Sequence, residues 1–147
     1  MFDSNKIIKF EIATPERVVL KDMVVQVTVP TKEGEITILP QHAPVVGIIK
    51  PGVIHLINEK KEEQVISVAG GFVEVVRNKV IILADSAERA EELDLEKVEQ
   101  ARKQAEESLK EVRAEDSERY ANIVGQLERE LARTRAVKRW KNIKNIK

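Results

Sequence analysis

Apolar and polar positions alternate in short runs over the first 85 residues, and the period then changes. Residues 6–14, 17–20, 24–29, 35–39, 53–57, 64–69, 72–76 and 80–84 are rich in Val and Ile; Val25, Val27 and Val29, for example, fall on one face of an extended chain. Turn chemistry separates the runs: Thr14-Pro15-Glu16, Gly34, Gly52, the polar stretch 58–63, Gly70-Gly71 and Arg77-Asn78-Lys79. All five prolines precede residue 52, and five of the six glycines precede residue 72. Short β-branched runs spaced about 8–12 residues apart predict an antiparallel β-sandwich or barrel. About 85 residues suffice for such a unit without covalent staples, although its core is modest.

After Ala84 proline vanishes and Ala, Glu, Lys, Arg and Leu dominate, which favours helix. Asp94 is placed to cap a helix whose apolar face is Leu95, Val98, Ala105, Leu109 and Val112, interrupted by Arg102. Glu115-Asp116-Ser117 breaks it, and Tyr120, Ile123, Val124, Leu127 and Leu131 form a second stripe. Two helices of about 20 residues, each about 30 Å long, joined by a short connection, predict an antiparallel pair. The expected architecture is therefore α+β: an N-terminal antiparallel β-sandwich over residues 1–85, then a C-terminal antiparallel two-helix hairpin over 86–147.

Charge sharpens this division. The whole chain is neutral, with 25 bases and 25 acids, which disfavours a dedicated nucleic-acid binder. Inside the hairpin the signs segregate: residues 86–118 hold twelve acids and six bases, and residues 119–147 hold two acids and nine bases. Opposite charges favour side-by-side pairing of the helices, though each exposed pair contributes under about 1 kcal/mol. The stripes are narrow and rich in alanine, so such a hairpin buries little by itself and needs another surface to hold it.

The absence of cysteine excludes disulfides, thiolate metal sites and cysteine nucleophiles. His42 and His55 are the two histidines, too few for a structural zinc site without cysteine. No phosphate-binding glycine loop, nucleophile elbow or zinc-protease motif occurs, so the chain is not expected to be an enzyme. The start of the chain lacks the apolar core of a signal peptide, and no apolar run is long enough to span a membrane, which makes the cytoplasm the expected setting. Gly70-Gly71 suits a bulge or a positive-φ turn. Lys79 at a hairpin tip invites a carrier-protein reading, but no methionine flanks it.

Two segments carry a family resemblance. The stretch Gly34-Glu35-Ile36-Thr37-Ile38-Leu39-Pro40-Gln41-His42-Ala43-Pro44 and the stretch Ala69-Gly70-Gly71-Phe72-Val73-Glu74-Val75 resemble the two signatures of the epsilon subunit of bacterial and chloroplast F-type ATP synthases. Residues 78–85 are similar to the strand that ends the sandwich of that family, and Ser86-Ala87-Glu88 with Leu93-Asp94 to its entry into the helices. The resemblance implies a non-catalytic rotor subunit on the cytoplasmic face of the bacterial plasma membrane. Its sandwich would bind the gamma subunit and rest on the c ring. Its helices would fold down on the sandwich or extend into the alpha/beta hexamer and block ATP hydrolysis. The alternative from charge alone is an adaptor whose hairpin docks on proteins outside any ATPase.

The same resemblance supplies candidate residues. A regulatory ATP is implied at Glu88, Leu93, Asp94, Lys97, Arg129 and Arg133, with Lys97 standing where the family's motif has arginine and Val98 where it has alanine. Lysine keeps the charge but loses the planar fork. A partner interface is implied at His42 and along the basic run that includes Arg133, Arg135, Lys138 and Arg139, with Trp140 inside it. His42 also suits a loop histidine bonded to neighbouring backbone.

Overall fold

The computed structural model describes residues 6–113 and 115–146. Seven strands come first: β1 (Ile8–Ala13), β2 (Val18–Thr31), β3 (Gly34–Ile38), β4 (Val45–Ile48), β5 (Gly52–Asn58), β6 (Glu63–Val76) and β7 (Lys79–Arg89). A 3-10 turn at Ala90–Glu92 leads to the helices α1 (Leu95–Glu111) and α2 (Ser117–Ile146).

The two 14-residue strands make the sandwich, because each serves both layers. β2 pairs with β1 over its first half and with β3 and β5 over its second. β6 pairs with β5 first and with β4 later, while β7 follows it along its length. One layer thus runs β2–β1–β7–β6–β4 and the other β3–β2–β5–β6–β7. All these pairings are antiparallel except β1 with β7, which is parallel. The alternating inward residues meet between the layers: Ile8, Phe10, Ile12, Val27, Ile54, Ile66, Val73 and Ile82 are among the core, each at most 2% exposed. Burying each such side chain contributes about 1.5–3 kcal/mol, which is why this alternation, rather than any single pair, fixes the register.

Gly70 and Gly71 lie where β6 bends from one layer to the other, at φ 72° and 122°. A Cβ on Gly71 would sit 2.2 Å from the Leu83 carbonyl oxygen, so glycine is required there. The glycine pair is therefore a bend inside one strand and not a break between two. The chain at 17–20 and 24–29 likewise forms one strand, and β4 arises at 45–48, where no run is expected from the pattern.

β7 also departs from expectation. It continues past Ala84 to Arg89, with Ser86, Ala87, Glu88 and Arg89 opposite Ala69, Val68, Ser67 and Ile66. A division at residue 85 would cut this strand; the sheet ends at Arg89. Pairing with β6 outweighs the helical propensity of the Ala-Glu-Arg composition.

Asp94 caps α1 as expected, its Oδ1 accepting from the amides of Glu96 at 2.9 Å and Lys97 at 3.3 Å. α1 has 17 residues. α2 has 30, half again longer than the stripe predicts, because its helical course runs on through the basic segment. At 1.5 Å per residue it reaches about 45 Å. α1 packs on α2, and α2 lies across β5, β6 and the 3-10 turn. A second, small apolar cluster forms at this contact: Val65, Ala90 and Ala136 are buried, with Val53, Trp140 and Ile143 against them. Ala132 and Ala136, both at most 1% exposed, let the helix backbone approach the sheet.

Candidate functional sites on the two sheet faces

The sandwich has two outward faces with different fates. On the β5–β6 side, Val53 and Val65 point away from the core and meet α2. His55 lies on the same face two residues along β5; it is buried, and its Nε2 is 3.0 Å from Glu63 Oε1.

The ion pair between this face and the hairpin centres on Arg133. Its Nε donates to Glu88 Oε1 at 2.9 Å and its Nη2 donates to the same oxygen, while its Nη1 donates to Glu130 Oε1 at 2.6 Å. Glu88 stands on β7 opposite Ser67. Glu130 lies one helical turn before Arg133 and is 5% exposed. Its second oxygen, Oε2, has no hydrogen-bond partner among the described residues.

Beside this cluster opens a cleft of about 300 Å3, lined by Glu92, Leu93, Asp94, Lys97, Val98, Ala101, Glu130 and Arg133. The structure thus brings Leu93, Asp94, Lys97 and Arg133 to one place and puts Glu88 on Arg133. Arg129 does not line the cleft, and Glu130, unforeseen from sequence, does. Residues i and i+3 of a helix are neighbours just as i and i+4 are, so a Glu-x-x-Arg spacing was the available signal. The groups here are largely committed. Asp94 holds the α1 amides. Glu92 is held by Arg17 of the β1–β2 turn at 2.8 Å and by Arg89 Nε at 2.7 Å. The Arg17 hydrogen bond, more than the opposing burial, draws the Glu92 carboxyl below its ordinary value of 4.5, with Arg89 adding to it. The same partner raises Arg17. Lys97 is exposed at the rim.

Among the described residues nothing comparable covers the opposite face, formed by β4, β6 and β7. Ile48, Phe72 and Leu83 stand in one cross-strand row and Val46, Glu74 and Ile81 in the next. Val46 is 71% exposed, Leu83 61% and Phe72 58%. A contiguous exposed row of large apolar side chains marks an interaction surface, whereas scattered ones do not.

The remaining candidates divide. Arg135, Lys138 and Arg139 are exposed on α2; Lys138 Nζ is 3.9 Å from Glu99 of α1, the one ion pair between the two helices among the described residues. Arg133, expected among this basic group, points inward instead. Lys144 sits over the Trp140 ring at 4.8 Å. Lys147, the end of the basic run, lies outside the described residues. The His42 amide donates to the Leu39 carbonyl, and its Nδ1 lies 2.7 Å from the Ala43 carbonyl oxygen, so the ring is engaged by its own loop. Among the described residues no cluster of His, Asp and Glu could hold a metal ion.

The ATP synthase Delta/Epsilon chain beta-sandwich domain matches residues 7–90, which is the sandwich to the last residue of β7 and one beyond. The chain belongs to the ATP synthase epsilon chain family. An epsilon chain from Chloroflexus aggregans is 48% identical over 98 residues, covering 67% of this chain and 70% of that one. An epsilon chain from Dichelobacter nodosus is 38% identical over 132 residues, covering 87% and 92%. In fold, the structure is similar to a chain of the Euglena gracilis mitochondrial ATP synthase OSCP/F1/c-ring assembly, with a TM-score of 0.73 at 24% identity over 84% of this chain and 76% of that one. As an epsilon chain it is a non-catalytic subunit of an enzyme complex. No helix among the described residues is long and apolar enough to cross a membrane.

Proposed function

We propose that this chain is a rotor subunit in which the sandwich carries assembly and the hairpin carries regulation. The observation behind this reading is the opposition of the two sheet faces. The bare apolar row of Ile48, Phe72 and Leu83 suits permanent contact with a stalk partner, the gamma subunit, and the loop bearing His42 suits the c ring. Among the described residues the other face holds the hairpin through one small cluster and one ion pair, a contact weak enough to be reversible. A released α2 of about 45 Å would present Arg135, Lys138 and Arg139 to an acidic surface of the alpha/beta hexamer and impede ATP hydrolysis. The complex would sit at the cytoplasmic face of a bacterial membrane, with this chain peripheral to it. We place the division between the two functions after Leu93 instead of at residue 85, because β7 and the turn pinned by Arg17 belong to the sandwich.

Regulatory ATP enters this reading only in a restricted form. The cleft offers Lys97, but Arg133 is already bound by two carboxylates, so a phosphate group would have to displace Glu88 or Glu130. On this reading ATP is dispensable for the folded-down state.

The test is hydrolysis by the reconstituted complex. Removing residues 94–147 should relieve inhibition and leave co-purification with gamma intact. Phe72→Asp with Leu83→Asp, both exposed and so compatible with folding, should abolish that co-purification. A full-length Asp variant that still joins gamma would refute the assignment of the bare face.

A further inference from the structure

We infer that Glu88, Arg133 and Glu130 form a built-in latch that holds the hairpin down with no bound ligand, the chain's own carboxylates occupying the cation that an anionic ligand would require. This goes beyond the rotor reading, since it concerns the isolated chain.

The argument rests on the division of labour within the cluster. Glu130 and Arg133 are both on α2, so their pair travels with the helix wherever it goes. Glu88 is on β7, and its pair with Arg133 is the one ion pair between the hairpin and the sheet among the described residues. Glu130 is therefore the positioning residue. It is nearly fully buried in the docked hairpin, and a buried carboxylate without its cation is strongly destabilising, so in the docked state Glu130 holds Arg133 in place toward Glu88. Glu88 is the catch. Arg133 then presents Nε and Nη2 together to one carboxylate oxygen, a geometry a lysine could not reproduce.

The neighbouring cleft fits the same reading. Its lining carries three carboxylates, Glu92, Asp94 and Glu130, against two cations, Lys97 and Arg133. The orphaned Oε2 of Glu130 is an acceptor. A lining with more carboxylates than cations disfavours a phosphate group.

Trp140 gives a reporter, because it packs in the cluster that docking creates. The full chain is followed by Trp140 emission and by hydrogen exchange of the α2 amides, with Mg-ATP as the probe ligand. The native chain should be docked without nucleotide, and millimolar Mg-ATP should leave both signals unchanged. Glu88→Gln should raise the undocked population at least tenfold and remove most of its salt dependence. In an Arg133→Gln background the same substitution should add nothing, because the catch has already lost its cation; a merely structural role for Glu88 would give additive effects. Far-UV circular dichroism of each variant verifies that the sandwich is folded, and Glu130→Gln supplies a second route to the same loosening. The inference is overturned if the native hairpin docks only when ATP is added, if Glu88→Gln leaves exchange unchanged in a folded protein, or if the Glu88 and Arg133 effects add.

Discussion

Enlarging Ala136 should release the hairpin and leave the sandwich intact. Ala136 is fully buried, and its methyl group sits with Val65 of β6 and Ala90 of the 3-10 turn. Leucine adds three carbons at a place with no spare surface. Neither Ala136 nor Val65 belongs to the main core, which is built from strand residues and Ile49 just after β4, with none from the helices. The strain therefore has an outlet: α2 can lift, at the cost of a few apolar contacts. Overpacking a tight site costs about 1–3 kcal/mol, and that corresponds to about a 5- to 150-fold shift toward the released state. Trp140 remains in place, so its emission should move to longer wavelength as the ring loses its contact with the sheet. Exchange of the α2 amides should accelerate by the same factor, while exchange in β5 and β6 should stay slow. A variant in which strand exchange accelerates together with the helix would refute the reasoning, since it would make the hairpin and the sandwich one cooperative unit. An unchanged Trp140 signal would refute the claim that Ala136 sets the docking distance.

Gly71→Ala should act on the other unit: at φ 122° and 2.2 Å from a carbonyl oxygen the new methyl should cost about 2 kcal/mol or more, lowering the sandwich melting temperature by about 8–16 °C, and an unchanged melt would show that the β6 bend tolerates a side chain. The Arg17–Glu92 pair should weaken in acid: because the folded carboxyl titrates below 4.5, its contribution is complete above that pH and is lost as the pH falls through the lowered folded value. In Arg17→Ala the Glu92 midpoint followed by side-chain NMR should move up, and a midpoint that stays put would assign the shift to Arg89 instead.

Much of the architecture is legible in the sequence because punctuation and period coincide with real boundaries. The Asn58 turn is an example: the polar run at 58–63 closes with Asn58 Oδ1 accepting from the amides of Lys60 and Glu62, both at 2.9 Å. Asp94 is another, a cap whose side chain does what its position suggests. The failures share a cause. The apolar pattern divides a strand wherever polar or glycine residues interrupt it, yet β2 and β6 cross from one layer to the other, and the crossing point has no core to fill. The polar Lys21-Asp22 and the glycines of β6 stand near these crossings. β4 was invisible because Val45–Ile48 contains Gly47 and follows Pro44 directly. At the site, charge and spacing named Arg133, Glu88, Leu93, Asp94 and Lys97 but could not say which charges neutralise which. Arg133 reads as one more base in a basic tail. The docking of α2 on β5 and β6 turns it toward Glu88 of β7, a partner more than 40 residues away along the chain.

The separation of the two apolar clusters has a mechanical consequence. A helix sharing the main core could leave only by unfolding the sandwich. Here the docked state rests on Val65, Ala90 and Ala136 with their half-buried neighbours, plus the Arg133–Glu88 pair. Alanine contacts contribute little apolar area, and a part-buried pair joined by charge-assisted hydrogen bonds contributes about 1.5–3 kcal/mol. The sum is a few kcal/mol at most. Moving a two-state equilibrium from 1:99 to 99:1 takes about 5.5 kcal/mol of differential binding. A partner surface that engages a released, basic α2 can supply that amount, and because β7 ends before the helices begin, the sheet loses no strand when it does.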